Sequence, residues 1–207
     1  MNNYNTSPNS IKIGLLGDSG VGKTNIINSI LDVGFNEDEI STIGSYKFTI
    51  KILLKKENKV KLIIWDSSGQ ERFRSIVLKN LKNVEGIILV FDVTNRKSFE
   101  NIDEWLRLIK ENIEQNPDII LFGNKADVEK EKWKVTKEEI KQYLKKMKLD
   151  YFEISTKINQ GINEGLFYLT NNLYDKLEEK RKRYFVYQNL KIDNNSNNKI
   201  ILKKKDE

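Results

Sequence analysis

The 207-residue sequence predicts a doubly wound α/β domain, in which helices cover both faces of a mostly parallel six-stranded sheet. Short apolar runs alternate with amphipathic segments from Ile11 to Leu177, which is the pattern of strands joined by crossover helices. The run Gly86–Phe91 is apolar without interruption, as expected for a strand buried on both faces of a parallel sheet. Ligands of such a sheet bind at the carboxyl ends of its strands, and a glycine-rich loop at residues 17–24 follows the first strand.

Each predicted element has its own signal in the sequence. Six short apolar runs, bounded by polar or glycine-containing stretches, are predicted as strands: Ile11–Leu16, Lys47–Leu54, Val60–Trp65, Gly86–Asp92, Ile119–Gly123 and Tyr151–Ile154. Lys55–Lys59 is short enough to be a hairpin turn between the second and third strands. Helical spacing of apolar residues predicts helices over Ile102–Ile113 and Leu166–Leu177. Thr136 and Glu139 form a capping-box signature for another helix.

The domain is predicted to span residues 11–180, between a flexible polar segment at 1–10 and a basic, Asn/Lys-rich tail at 181–207. No apolar run reaches the roughly 18 residues of a membrane span, and the first residues lack the features of a signal peptide. A cytoplasmic protein is therefore expected. The net charge of +6 lies in lysine-rich surface segments and in the tail, and no nucleic-acid-binding module is visible, so we expect no nucleic-acid partner.

The sequence contains no cysteine and no histidine. This excludes disulfides, thiolate nucleophiles, Cys-ligated zinc and catalytic pairs that depend on imidazole. Any catalysis must use backbone N–H groups, lysine, arginine, carboxylates, amides, hydroxyls or a hard cation. Phosphoryl transfer is chemistry of that kind.

The glycine-rich loop Gly-Asp-Ser-Gly-Val-Gly-Lys-Thr matches a phosphate-binding loop between a strand and a helix. Its glycines allow a tight backbone turn whose N–H groups point at phosphate oxygens at the helix N-terminus. Lys23 is expected to reach the β- and γ-phosphates, and the Thr24 hydroxyl to bind Mg²⁺. The residues predicted to bind phosphate here are Asp18, Ser19, Gly20, Val21, Gly22, Lys23 and Thr24.

The segment Gly123–Asp127, directly after an apolar strand, predicts recognition of guanine. Guanine presents N1–H and a 2-amino group as two donors, and the carboxylate of Asp127 can accept both. Adenine lacks the amino group and has an acceptor at N1, so a buried carboxylate would discriminate strongly against it. Asn124 is expected to hold the loop, and the stem of Lys125 to pack against the base.

A third motif, Asp66–Gln70, follows the strand that ends at Trp65. Asp66 is expected to hold Mg²⁺ through water, and the N–H of Gly69 to contact the γ-phosphate. Gln70 is the predicted catalytic residue because its side chain can orient the attacking water.

Together with Ser41–Gly44 and Ser155–Lys157, these segments resemble the five nucleotide-binding motifs of Rab GTPases, in family order. The resemblance covers about residues 11–178, and Phe91–Thr94 and Trp105-Leu106 are also similar to Rab sequences. It implies a Rab-like small GTPase of the Ras superfamily, with the P-loop NTPase fold known as the G domain. Such a protein binds GTP and GDP with Mg²⁺, hydrolyses GTP as a molecular switch and regulates vesicle-mediated transport.

The resemblance also implies roles for residues outside the first three motifs. Thr42 would bind Mg²⁺ and the γ-phosphate in the GTP state, and Phe35 would pack against the guanine. The last base-contacting loop would contain Ser155, Thr156 and Lys157. An exchange factor, a GTPase-activating protein and effectors would bind through switch I near Thr42 and switch II at Asp66–Phe73, and the protein would be a monomer.

Several positions depart from the Rab pattern. Ser67-Ser68 replaces the usual Thr-Ala, and Thr156 replaces an alanine, so that a β-branched residue can alter the N–H aimed at the guanine oxygen. Rab proteins carry C-terminal cysteines that are prenylated, and this sequence has none. Either the protein is not lipidated or its natural end lies outside the sequence. We expect transient, at most peripheral contact with the cytosolic face of endomembranes through basic residues such as Lys180–Arg183.

Two other interpretations remain. The chain could be a scaffold that binds guanine nucleotide and hydrolyses it negligibly. The missing cysteines would allow this, as would switch I, where Ser45-Tyr46-Lys47-Phe48 follows Ile43-Gly44 in place of the common Val-Asp-Phe. Retention of Thr42 and Gln70 favours the active switch, and single-turnover hydrolysis separates the two. An ATP-using metabolic kinase is disfavoured because it explains neither Gln70 nor the pair Asn124 and Asp127.

Overall fold

A computed structural model describes residues 10–34, 45–54, 59–67, 78, 79 and 81–195 of the chain. Within these residues the strands are β1 (Ser10–Gly17), β2 (Ser45–Leu53), β3 (Lys59–Ser67), β4 (Gly86–Asp92), β5 (Asp118–Asn124) and β6 (Asp150–Glu153). The α-helices are α1 (Lys23–Ile30), α2 (Arg96–Glu100), α3 (Ile102–Asn112), α4 (Lys137–Met147) and α5 (Ile162–Asn195).

The six strands form one sheet in the order β2-β3-β1-β4-β5-β6. β2 pairs antiparallel with β3, and all other neighbours are parallel. Each strand begins and ends within two residues of its predicted bounds. The predicted doubly wound α/β architecture is therefore confirmed.

Side chains of a strand alternate between the two faces of the sheet. Because apolar side chains lie on both faces here, helices cover both. In β4, Ile88 and Val90 pack with residues of α1 and α5 on one face. Ile87, Leu89 and Phe91 pack on the other face with residues of α2, α3 and α4. All seven residues of β4 are buried, which explains why its sequence is apolar from Gly86 to Phe91.

The direction of winding reverses at β1, which lies between β3 and β4. In open α/β sheets, ligands bind in the crevice at such a switch point, beyond the carboxyl ends of the strands. The loop from Gly17 to Lys23 leaves β1 at this point, and β3, β4 and β5 end at the same edge.

Of two helix ends that the sequence predicted, one is confirmed and the other lies further along the chain. The predicted capping box is present, with the Glu139 N–H donating to Thr136 Oγ1 at 3.2 Å and the Thr136 N–H donating to Glu139 Oε2 at 3.0 Å. Helix α5 continues to Asn195, beyond the residue 180 predicted as the end of the domain. Residues 181–195 contain neither glycine nor proline, so no residue there breaks the helix. No helix in the described residues is long and apolar enough to cross a membrane.

Candidate active site

The loop between β1 and α1 depends on glycine at two positions. Gly17 and Gly22 have φ angles of 142° and 97°, in the region that favours glycine. A Cβ on Gly17 would lie 2.2 Å from the carbonyl oxygen of Val90, and one on Gly22 would lie 2.3 Å from Asn124 Nδ2. Backbone conformation and close packing both exclude larger residues, so the loop can fold tightly at the start of α1.

Lys23, the first residue of α1, is buried at the base of this loop. Its Nζ donates to the carbonyl oxygens of Gly17 at 2.9 Å and of Asp18 at 2.7 Å. A buried ammonium needs such partners, and these two fix its charge at the positive end of the helix dipole. Of the other predicted phosphate-binding residues, Val21 is buried, whereas Ser19 and Gly20 are exposed at the tip of the loop.

Thr24 and Asp66 come together from α1 and the end of β3. The Thr24 hydroxyl donates to Asp66 Oδ2 at 3.0 Å, and Asp66 is buried. Hydroxyl and carboxylate oxygens are ligands of the kind that Mg²⁺ prefers, usually with water and phosphate oxygens completing its octahedron. The two residues therefore fit a magnesium ion.

Ser67, one of the departures from the Rab pattern, is fully buried beside this pair. Its hydroxyl donates to the carbonyl oxygen of Leu15 at 2.5 Å and so ties the end of β3 to β1. A serine supplies the same hydroxyl donor as a threonine, which explains why this replacement is compatible with the site.

Asn124, at the end of β5, connects three loops. Its side chain is fully buried. Nδ2 donates to the carbonyl oxygen of Val21 at 2.8 Å, while Oδ1 accepts from the N–H groups of Lys125 at 2.8 Å and Thr156 at 3.2 Å. The glycine-rich loop and the two predicted base loops are therefore held together by one amide.

Asp127 is oriented by the last of these loops. Its Oδ1 accepts from Ser155 Oγ at 2.6 Å, and the N–H of Ala126 donates to Ile154 O at 3.0 Å. Ser155 and Thr156 are buried, while Lys157 is exposed. The sequence suggested that the β-branched side chain of Thr156 could alter the direction of its N–H. In the structure this N–H donates to Asn124 Oδ1.

Lys125 has a partner that the sequence did not predict. Its backbone has a positive φ of 65°, and its Nζ lies 2.6 Å from Oδ2 of Asp92, at the end of β4. Asp92 is buried, and its Oδ1 accepts from the N–H and the hydroxyl of Thr94 at 2.8 and 2.7 Å. The likeness of Phe91–Thr94 to Rab sequences marked this segment without assigning it a role.

Asp18 also has unpredicted partners, and they belong to helix α3 and the residue before it. Trp105 Nε1 donates to Oδ1 of Asp18 at 2.9 Å, and Asn101 Nδ2 donates to Oδ2 at 2.6 Å. The remaining predicted site residues, Phe35, Thr42, Gly69 and Gln70, lie outside the described residues, and their roles stay predictions.

Comparison with known proteins agrees with this geometry. The family model described as the Ras family matches residues 12–175. The chain is 41% identical over 169 residues to Ras-related protein Rab-10 of Diplobatis ommata, covering 82% of this chain and 84% of the relative. It is 38% identical over 170 residues to Ras-related protein Rab-13 of Rattus norvegicus, covering 82% and 83%. It is also 38% identical over 169 residues to Ras-related protein Rab-8B of Bos taurus, covering 82% and 81%.

Proposed function

Because the chain belongs to the Ras family and is a Rab-like small GTPase, we propose that the residues at the carboxyl edge of its sheet bind and hydrolyse GTP. Ras-family GTPases use Mg²⁺ with their nucleotide and interact with regulators and effectors. The proposed phosphate-binding residues are Asp18, Ser19, Gly20, Val21, Gly22, Lys23, Thr24 and Gly69. The proposed guanine-binding residues are Phe35, Asn124, Lys125, Asp127, Ser155, Thr156 and Lys157.

The observation that carries this proposal is the position of Asn124. Its amide joins Val21 of the glycine-rich loop to Thr156 of the last loop, at 2.8 and 3.2 Å. A phosphate loop and a base loop must keep a fixed separation if both bind one nucleotide, and this buried link supplies it. The pair Thr24 and Asp66 supports the assignment independently, because its oxygens fit the magnesium ion that accompanies GTP.

The mechanism follows from where charge develops during phosphoryl transfer. The ammonium of Lys23 and the loop N–H groups stabilise negative charge on the phosphate oxygens. Thr24, Asp66 and Thr42 would hold Mg²⁺, which neutralises charge on the β- and γ-phosphates when bound. Gln70 would orient a water, whose oxygen bonds to the γ-phosphorus as the bond to the bridging oxygen breaks. The products are GDP and inorganic phosphate, and the proton of the water ends on phosphate.

We also propose that this switch regulates vesicle-mediated transport as a monomeric cytoplasmic protein that contacts the cytosolic face of endomembranes transiently. The Rab relatives support this role. The basic run Lys180–Arg183 lies within α5, where Arg181 pairs with Glu178 and Arg183 with Glu179 at 2.7 and 3.4 Å. These pairs neutralise part of its charge, so its attraction to anionic lipid is expected to be weak. Because that attraction is electrostatic, salt should reverse it, which fractionation with a high-salt wash checks. Pelleting that resists salt and requires detergent would contradict this.

The experiment that tests the site is the substitution Asp127→Asn. An amide in place of the carboxylate loses an acceptor for the two guanine donors, so we expect GTP affinity to fall about 100-fold or more. Asp118→Asn is the matched control, because Asp118 lies at the opposite end of β5 and pairs with Lys176 at 2.6 Å. Equilibrium binding of GTP by titration calorimetry measures both. An Asp127→Asn affinity within about threefold of the control would exclude the assigned role.

A further inference from the structure

The carboxylate of Asp18 is held from one side by the start of helix α3. Asn101, the residue before the helix, donates to Oδ2 at 2.6 Å, and Trp105 donates from its indole nitrogen to Oδ1 at 2.9 Å. Residues four apart lie on the same side of a helix, so both donors reach the same carboxylate. Hydrogen bonds to an ionised acceptor are stronger than neutral ones.

The Trp105 donor cannot swing away from Asp18. The indole is 1% exposed and belongs to the core between the sheet and α3, which also contains Leu16 at the end of β1. A buried indole N–H needs an acceptor, and here the acceptor is the charged group of the glycine-rich loop. The position of α3 in the core therefore fixes the position of this loop.

Asp18 passes this restraint to Lys23. Its side chain is bound by Asn101 and Trp105, while its backbone carbonyl accepts from Lys23 Nζ at 2.7 Å. A carboxylate in a phosphate-binding loop also repels phosphate, and the two N–H groups keep this one directed toward α3. One residue thus orients the cation, while its own carboxylate is stabilised by two hydrogen bonds from the side of the helix.

We propose that Asn101 and Trp105 are positioning residues that fix Asp18, and through it Lys23, in the geometry that retains bound nucleotide. This inference rests on the proposed function of the glycine-rich loop and adds α3 as its support. Preorganisation of a binding loop raises affinity by lowering the cost of ordering it, mainly through slower release. Loss of either donor should therefore speed the release of GDP.

The test measures GDP release from the full chain. Protein loaded with a fluorescent GDP analogue and Mg²⁺ is mixed with excess unlabelled GDP, and the dissociation rate is read from the fluorescence. Trp105→Phe keeps an aromatic ring and removes the N–H together with part of the buried indole. Asn101→Ala, at a partly exposed position, is a second variant that does not open the core. We expect release to be about three- to tenfold faster in each, the ratio that corresponds to the net contribution of one ordinary hydrogen bond.

The matched control is Tyr143→Phe. The hydroxyl of Tyr143, on α4, donates to Oδ1 of Asp103, on α3, at 2.7 Å. This change therefore also removes a hydrogen bond to a carboxylate, and that carboxylate belongs to α3 but lies away from the glycine-rich loop. We expect its GDP release to equal that of the wild type. Accelerated release in this control would show that any loosening of α3 has the effect, and would overturn a specific role for Asn101 and Trp105.

A double-mutant cycle separates positioning from general stability. If Trp105 acts through Asp18, Trp105→Phe should not speed release further in an Asp18→Ala background, whereas a merely structural effect would add there in full. Additive effects in the cycle would overturn this inference alone. So would GDP release from Trp105→Phe and Asn101→Ala at the wild-type rate, provided that the wild type binds GDP. A wild type that does not retain GDP would overturn the proposed function as well.

Discussion

Replacing Asn124 with alanine should weaken the fold and the nucleotide site together. The side chain is fully buried, and its amide joins the carbonyl of Val21 to the N–H of Thr156. Truncation leaves those two backbone groups, and the N–H of Lys125, without this partner, and each such group costs about 1–3 kcal/mol where it is buried. A water molecule that enters the vacated space can satisfy part of this demand. We therefore expect the free energy of unfolding to fall by about 2–4 kcal/mol.

Thermal unfolding followed by circular dichroism, with and without saturating GDP and Mg²⁺, measures this effect. In a domain of this size, 1 kcal/mol corresponds to about 2–4 °C in Tm, so the expected decrease is about 4–16 °C. Asn112→Ala is the matched control, because its amide donates at 2.8 Å to Leu108 O within α3 and joins no loops. The reasoning would be refuted if both variants unfolded at the same temperature and Asn124→Ala kept its GDP affinity.

Three other changes test separate parts of the molecule. Gln70→Leu should slow single-turnover hydrolysis from an intrinsic rate of about 10⁻⁴–10⁻³ s⁻¹ without weakening GTP binding, and equal rates would remove Gln70 from the mechanism. Tyr151→Phe should leave Tm unchanged or raise it, because the buried hydroxyl has no hydrogen-bond partner among the described residues; a clear decrease would contradict this. Burial raises the pKa of Glu85 above its ordinary 4.5, so its contribution to stability is full below that pH and is lost as the pH rises through the higher folded pKa. Glu85→Gln keeps an acceptor for the Lys12 N–H. In urea titrations this variant should be more stable than the wild type at neutral pH, and the difference should vanish near pH 4. An equal gain in stability at both pH values would contradict this.

The strands could be predicted because buried strand positions are occupied by apolar residues. Gly86–Asp92 lies between two layers of helices, so each of its residues faces other protein atoms, and the run is apolar from Gly86 to Phe91. The capping box depends on Thr136 and Glu139 alone, three residues apart. The end of α5 at Asn195 was not predicted, because the apolar pattern used to identify the helix ends at Leu177, whereas residues 181–195 merely lack a helix breaker.

Within the site, local motifs were predictable and their distant partners were not. Asn124 was expected to hold its loop, but its acceptor on Val21 lies 103 positions away in the chain. Trp105 and Asp18 are 87 positions apart. Spacing along the sequence carries no information about such contacts, because they depend on how the layers pack. The likeness of Trp105-Leu106 to Rab sequences indicated that the position matters without saying what it binds.

The Asp92–Lys125 pair, by contrast, follows from strand register. β4 and β5 are parallel, and Asp92 is paired with Asn124, the last residue of β5. Lys125 then leaves the strand with a positive φ of 65°, and its Nζ lies 2.6 Å from Asp92 Oδ2. A one-residue slip would turn Asp92 to the other face and break the ion pair. The pairing of β4 with β5 therefore also sets the position of a predicted guanine contact. Changes that disturb the pairing of β4 with β5 should consequently alter base recognition even when they touch no nucleotide atom.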